Sequence, residues 1–172
     1  FYGFQQDSQK LIFIDDKLRE TEYRINGKRD VRIQSIKSNN KGEIILAGKS
    51  AESVLFRLDR DKGQIESVTI KGDKEILNKI TVYDLVCEAD GSLSLATSSG
   101  VYILSAENKL EAYRVPDDFP LKSFRSIIRD SKGDLWLGSD AGLYLISGSN
   151  YVFFKKESGL PNATVVEGGI AE

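Results

Sequence analysis

The chain contains no histidine and no methionine, one cysteine and three prolines in 172 residues. Without histidine there is no usual general base, no Ser–His nucleophile pair and no imidazole ligand for zinc. A single Cys87 excludes an internal disulfide. It lies in the alternating run Val82-Tyr83-Asp84-Leu85-Val86-Cys87-Glu88, where a thiol serves as a small hydrophobe. The charges, 24 basic against 26 acidic, are spread along the whole length. No basic stripe offers electrostatic support for nucleic-acid binding. No apolar run approaches the roughly 18 residues of a membrane span, and helical periodicity over ten or more residues is absent. No initiator Met or signal peptide precedes Phe1, and Glu167-Gly168-Gly169-Ile170-Ala171-Glu172 holds no terminating element, so a processed or excised piece is expected.

What is present is repetition. Leu11-Ile12-Phe13-Ile14-Asp15, Leu55-Phe56-Arg57-Leu58-Asp59, Val101-Tyr102-Ile103-Leu104-Ser105 and Leu143-Tyr144-Leu145-Ile146-Ser147 are one phrase, with starts 44, 46 and 42 positions apart. A period of that size marks a repeat architecture. Two more registers keep the same period. Asn40-Lys41-Gly42, Ala89-Asp90-Gly91 and Ser131-Lys132-Gly133 each supply the positive-φ residue of a tight turn before a short apolar strand. Val31 to Ile36, Thr81 to Val86 and Phe124 to Ile128 are runs of strand character that precede those turns. The last strand of each unit, in residues 18–25, 64–70, 110–115 and 151–156, is expected to be polar. Glu20, Glu22, Arg24, Glu66, Glu111, Arg114, Lys155 and Lys156 place charge there, as on a protected edge. Leu135-Trp136-Leu137-Gly138 is apolar on both faces, which predicts a covered strand with Trp136 in core packing.

Each unit reads as a four-stranded antiparallel meander, and such sheets stacked about an axis form an all-β propeller. One propeller region is expected over 1–172, with blades at about 1–27, 31–71, 79–115 and 124–157. Residues 164–172 have the register of a first strand for a further or closing blade. Phe1 to Leu11 aligns without gaps on Gly133 to Leu143, so the chain enters at a second strand and Lys10 stands where the turn glycine Gly142 stands in unit four. Sixteen strands in about four blades fit an arc of a larger, seven-bladed ring or a closed four-bladed ring. Gly168-Gly169 weakens a closing strand and favours the arc.

The fourth unit, Ile128-Arg129-Asp130-Ser131-Lys132-Gly133-Asp134-Leu135-Trp136-Leu137-Gly138-Ser139-Asp140-Ala141-Gly142-Leu143-Tyr144, resembles the two-component regulator propeller repeat. Phe154-Lys155-Lys156-Glu157-Ser158-Gly159-Leu160-Pro161-Asn162 is similar to that family's inter-blade segment. Units two and three keep turn glycines but depart elsewhere, unit two through an enlarged loop over residues 49–53, and unit one has lost the turn glycine between its middle strands. The resemblance implies the periplasmic sensor propeller of a membrane-anchored hybrid histidine kinase, responding to an oligosaccharide or other small ligand. It also implies a homodimeric receptor in which the remaining blades of the parent complete the ring.

Loops joining one blade to the next are the expected binding positions, because binding residues favour loops on a rigid scaffold. These lie at about 26–30, 71–79, 116–123 and 158–164. Arg29, Asp30, Lys74, Asp117, Asp118, Phe119 and Asn162 offer the hydrogen-bonding groups and the aromatic that a glycan would use. No catalytic residue, cofactor or metal is assigned. Asp15-Asp16 and Asp117-Asp118 lack the spaced oxygens of a calcium loop and read as turn acids. Two further classes stay open. One is a non-sensing scaffold within such a receptor. The other is a propeller lactonase or lyase, which would need Asp84, Glu88, Asp130 and Asn162 to converge on the axis.

Overall fold

The structure, a computed structural model, describes residues 2–5, 9–25, 31–51, 53–72, 74–116, 118–120 and 123–159. They form four blades in sequence. Blade 1 holds β1 (Tyr2–Gln5), β2 (Lys10–Ile14) and β3 (Glu20–Ile25). Blade 2 holds β4 (Arg32–Ser38), β5 (Ile44–Lys49), β6 (Leu55–Asp59) and β7 (Gln64–Ser67). A short helix, α1 (Lys74–Lys79), leads to blade 3: β8 (Val82–Cys87), β9 (Leu93–Thr97), β10 (Gly100–Leu104) and β11 (Leu110–Ala112). Blade 4 holds β12 (Phe124–Arg129), β13 (Leu135–Ser139), β14 (Gly142–Ser147) and β15 (Asn150–Phe154). Within each blade successive strands pair antiparallel, as the repeat predicts. The expected strand at 164–172 lies outside the described residues.

The turn glycines act as the sequence predicts. Gly42, Gly91 and Gly133 have φ of 76°, 86° and 86°, the left-handed region that a side chain disfavours. At Gly133 the turn is locked by Asp130, whose Oδ1 accepts from the backbone N–H groups of Lys132 and Asp134 at 3.0 and 2.9 Å. Asn39 does the same in blade 2.

Three apolar clusters hold the blades together, one per joint. Leu11, Ile25, Leu46, Phe56 and Ile65 join blades 1 and 2. Ile45, Leu55, Leu85, Leu95 and Leu104 join blades 2 and 3. Phe119, Phe124, Leu137, Tyr144 and Ile146 join blades 3 and 4. None of these clusters joins blade 4 to blade 1, so the described residues form an arc.

The joints are also tied near the axis. β4, β8 and β12 each carry a bulge, between Ile33 and Ser35, Val82 and Asp84, and Phe124 and Ser126. Just after the bulge in blade 3 sits the buried Asp84. Its Oδ1 accepts from Ser35 Oγ of blade 2 at 2.6 Å and lies 3.4 Å from Lys37 Nζ. Its Oδ2 accepts from the Ile127 N–H of blade 4 at 3.2 Å. One carboxylate therefore links three inner strands, which repays its burial with hydrogen bonds.

The rim brings a departure from separate sheets. As the chain leaves β3 it pairs in parallel with the start of β7, Arg24 opposite Gln64 and Ile25 opposite Ile65. Blades 1 and 2 thereby become one seven-stranded sheet. The next joint repeats the device: the Lys71 N–H donates to Asn108 O at 2.7 Å, and the Leu110 N–H donates to Lys71 O at 2.9 Å. At the third joint Val115-Pro116 passes Gly148-Ser149 with no such backbone pair among the described residues. Proline has no N–H to contribute there.

Three local expectations are corrected. Residues 71–79 read as loop, yet Lys74–Lys79 is helical. Six residues are too few to show a period, and Ile76 and Leu77 fold it down onto the core. The outermost strand of blade 4, Asn-Tyr-Val-Phe-Phe, is apolar rather than polar, because Lys155 and Lys156 fall beyond its end. Trp136 is not enclosed between sheets. It is half-buried on the face of blade 4 turned away from blade 3, stacked on Phe154 with ring centroids 5.9 Å apart.

Candidate functional site: a cleft between blades 2 and 3

An antiparallel meander sorts its loops. Turns between first and second strands, and between third and fourth, lie at one end of the blade. Turns between second and third strands share the other end with the blade-to-blade connections. At that connection end, a cleft of about 490 Å³ opens between the β5–β6 turn of blade 2 and the segment leading to blade 3. Ser50, Ala51, Ser53 and Val54 form one wall, Ser67, Val68, Thr69 and Ile70 the floor, and Leu77 and Asn78 of α1 the other wall.

The serine wall is self-satisfied. The Ser50 hydroxyl donates to Ser53 O at 3.0 Å and accepts from the Ser53 N–H at 3.0 Å. The Ser53 hydroxyl donates to Leu55 O at 2.9 Å. These bonds hold the enlarged loop in one shape. The opposite wall is held by Lys49, whose Nζ donates to Asn78 O at 2.7 Å and Ile80 O at 2.6 Å. A cation at exposed C-terminal carbonyls complements a helix end. Burial pushes the Lys49 ammonium below its ordinary pKa. Glu75 in the first turn pairs with Lys79 in the last at 3.5 Å.

Among the described residues, no side chain lining this cleft carries a formal charge. Ser67, Thr69 and Asn78 provide donors and acceptors beside Val68, Ile70 and Leu77. Such a surface suits a ligand with several hydroxyls over an apolar floor.

The residues expected from sequence are dispersed. Arg29, Asp30, Asp117 and Asn162 lie outside the described residues. Lys74 opens α1, the helix that walls the cleft. Asp118 is exposed, and its carbonyl accepts from the Tyr151 hydroxyl at 3.4 Å. Phe119 is only 6% exposed, its ring 5.4 Å from Tyr144 and 5.1 Å from Tyr151. Its aromatic ring plugs the third connection instead of facing solvent. The cleft residues Ser50, Ser53, Ser67, Thr69 and Asn78 were not singled out. Their one sequence signal is the enlarged loop at 49–53.

The acids considered for catalysis are separately engaged. Asp84 ties the axis. Glu88 receives two bonds from the Arg129 guanidinium at 2.7 Å, across the joint of blades 3 and 4, and one from Ser94 Oγ. Asp130 accepts from Trp136 Nε1 at 2.9 Å, and this bond, chiefly, holds its carboxyl below the usual range. Asp15 caps its own turn through Lys17 and Arg19. Burial pushes the Cys87 thiol up, away from a reactive thiolate.

Comparison with known proteins agrees with this architecture. A family described as two component regulator propeller matches residues 118–141, so blade 4 carries that repeat. Among curated proteins nothing matches. The extracellular domain of a hybrid two-component system from B. thetaiotaomicron superposes with a TM-score of 0.69 at 17% identity, over 93% of this chain and 22% of that one. That of a second such system has a TM-score of 0.67 at 16% identity, over 97% and 24%. Virginiamycin B lyase from Staphylococcus aureus gives 0.70 at 17% identity, over 96% and 54%. A form of that lyase with a histidine replaced by alanine is described as catalytically inactive. At such identities the likeness is one of fold, and the chain spans about a fifth to a half of these proteins.

Proposed function

We propose that this chain is a ligand-sensing, non-catalytic propeller region of a hybrid two-component receptor, lying outside the cytoplasm in the periplasm. The observation that carries this reading is the two-component regulator propeller repeat in blade 4, set in a fold like that of two-component extracellular domains. The ligand is an oligosaccharide or a similar hydroxyl-rich molecule, held in the serine- and threonine-lined cleft between blades 2 and 3. The parent is a membrane-anchored histidine kinase whose further blades complete the ring. The lyase alternative is weakened by chemistry: the lyase of like fold is inactivated by loss of a histidine, and this chain has none. Asp84, Glu88 and Asp130 do not gather into one site.

A glycan array probed with the chain tests the reading. Binding that is lost when Thr69→Trp fills the cleft, and kept in Asp118→Ala, supports it. Binding untouched by Thr69→Trp moves the site elsewhere. No binding to any neutral glycan favours a structural, non-sensing role for these blades.

A further inference from the structure

The second and third joints are built from equivalent strands, yet one is hollow where the other is filled. At the end of the blades away from the connections, Arg129 of blade 4 reaches across the third joint. Its guanidinium donates to Glu88 twice at 2.7 Å and to Ser94 Oγ at 3.4 Å. Counted back from the turn glycines, Cys87 stands in blade 3 where Arg129 stands in blade 4. On the same count Asn39 and Ile45 of blade 2 replace Glu88 and Ser94 of blade 3. The second joint therefore has neither the long arm nor the acid that receives it. A cavity of about 260 Å³ lies at that end.

Both blades wall this cavity. Ile45 and Val68 of blade 2 and Leu93 and Leu104 of blade 3 give it an apolar floor. Arg57 lies opposite Ile45 in the cross-strand row that faces blade 3, which brings its guanidinium to the cavity. In the repeated phrase this position is Phe13, Ile103 and Leu145 in the other units, so a cation here departs from the repeat. Among the described residues the guanidinium makes no hydrogen bond, and its one ion pair, with Glu43, spans 4.0 Å. Such a fork is free to form two parallel bonds to a carboxylate. The nearby acids are already engaged. Glu43 accepts from Asn39 Nδ2 at 2.6 Å, and Asp90 accepts from the Ser92 N–H and hydroxyl at 2.9 and 2.6 Å. Lys41, exposed on the turn, adds a second cation with no ion pair among the described residues. Lys41 and Arg57 also border a more open hollow of about 500 Å³, an entrance beside the two cations.

We propose that the turn end of the joint between blades 2 and 3 is a second binding site, which takes a small carboxylate with an apolar tail. The carboxylate pairs with Arg57 in the field of Lys41, and the tail lies on Ile45, Val68, Leu93 and Leu104. This site is separate from the cleft at the connection end, although Val68 borders both.

Hexanoate, titrated into the isotopically labelled full chain to about 50 mM and followed by amide NMR shifts, tests this. Saturable shifts are expected at Leu93 and Leu104, with a Kd in the millimolar range or below. Hexanol and hexylamine should bind at least about tenfold more weakly. Arg57→Ile should weaken hexanoate binding at least about tenfold without lowering the melting temperature, because the other units carry apolar residues there. Lys41→Ala, on the exposed turn, should weaken it about two- to fourfold. Thr69→Trp, which fills the other cleft, should leave it unchanged. Absence of saturable shifts, equal binding of hexanol, or binding indifferent to Arg57→Ile would each overturn the proposal. So would loss of hexanoate binding in Thr69→Trp, since the probe would then occupy the cleft at the connection end.

Discussion

The joint between blades 3 and 4 and the joint between blades 1 and 2 descend from one repeat but are held by different means. At the former, Phe119, Phe124, Tyr144, Tyr151 and Phe153 interlock, Tyr144 stacking on Phe153 at 4.3 Å and meeting Phe124 edge-on at 5.6 Å. The Glu88–Arg129 pair closes its edge. At the latter, where the repeat has decayed, backbone stitching adds to the contacts of Phe56, Tyr2, Phe4 and Tyr23 with aliphatic side chains. The Gln9 side chain donates to Val31 O and accepts from the Val31 N–H, both at 2.9 Å. The amide thus imitates a strand partner at the entry to blade 2, and the parallel pairing of β3 with β7 continues the stitch at the rim. Loss of the motif did not mean loss of the joint; directional bonds supplement the packing.

The largest effect should come from emptying the aromatic joint. Tyr144→Ala, at a residue 1% exposed, is expected to cost about 3–5 kcal/mol in urea unfolding. Ile12, at the matching place on the free side of blade 1, is half-buried, and Ile12→Ala should cost under about 1 kcal/mol. Equal losses would refute the contrast between the aromatic joint and the outer side of blade 1. An intermediate effect is expected from Gln9→Ala, which strands the Val31 backbone groups and should cost about 1–3 kcal/mol. Faster amide exchange at Val31, with blade 4 unchanged, would localise it.

Acid should act most weakly and unevenly. Asp130 is held below 3.8 chiefly by the Trp136 bond, and Asp90 chiefly by the Ser92 hydroxyl. A carboxyl depressed in the folded state adds stability that is full above 3.8 and is lost as pH falls through the folded value. The turns of blades 3 and 4 should therefore loosen below about pH 4, whereas the Asn39 turn of blade 2 has no such carboxyl at its cap. Asp130→Asn should flatten the acid response of blade 4 as read by Trp136 fluorescence.

The repeat was legible because its signals are backbone demands. A glycine with positive φ ahead of a strand recurs wherever the meander turns, so blades 2 to 4 could be read from Gly42, Gly91 and Gly133. The bulges at Gln34, Tyr83 and Arg125 were not, since a bulge leaves no residue-type requirement when any L-residue can occupy it. Trp136 was misjudged because an apolar strand reads alike whether its second side meets a neighbour or lies at the end of an arc. Phe119 looked like a binding aromatic because it lies in the blade-to-blade connection at 116–123, and only packing against Tyr144 and Tyr151 reveals it as a plug. The cleft arises from a loop in one blade meeting a helix that precedes the next, a juxtaposition that sequence spacing does not encode.

The unclasped rim at the third joint has a mechanical consequence. Blades 1, 2 and 3 are fastened to one another by backbone pairs at the circumference, and so should swing as one plate. Blade 4 is pinned at the Asp84 carboxylate and wedged by aromatic rings, while beside Pro116 no backbone bond to its far edge is found among the described residues. Any splaying of the assembly would pivot there, like a door hung on its inner post.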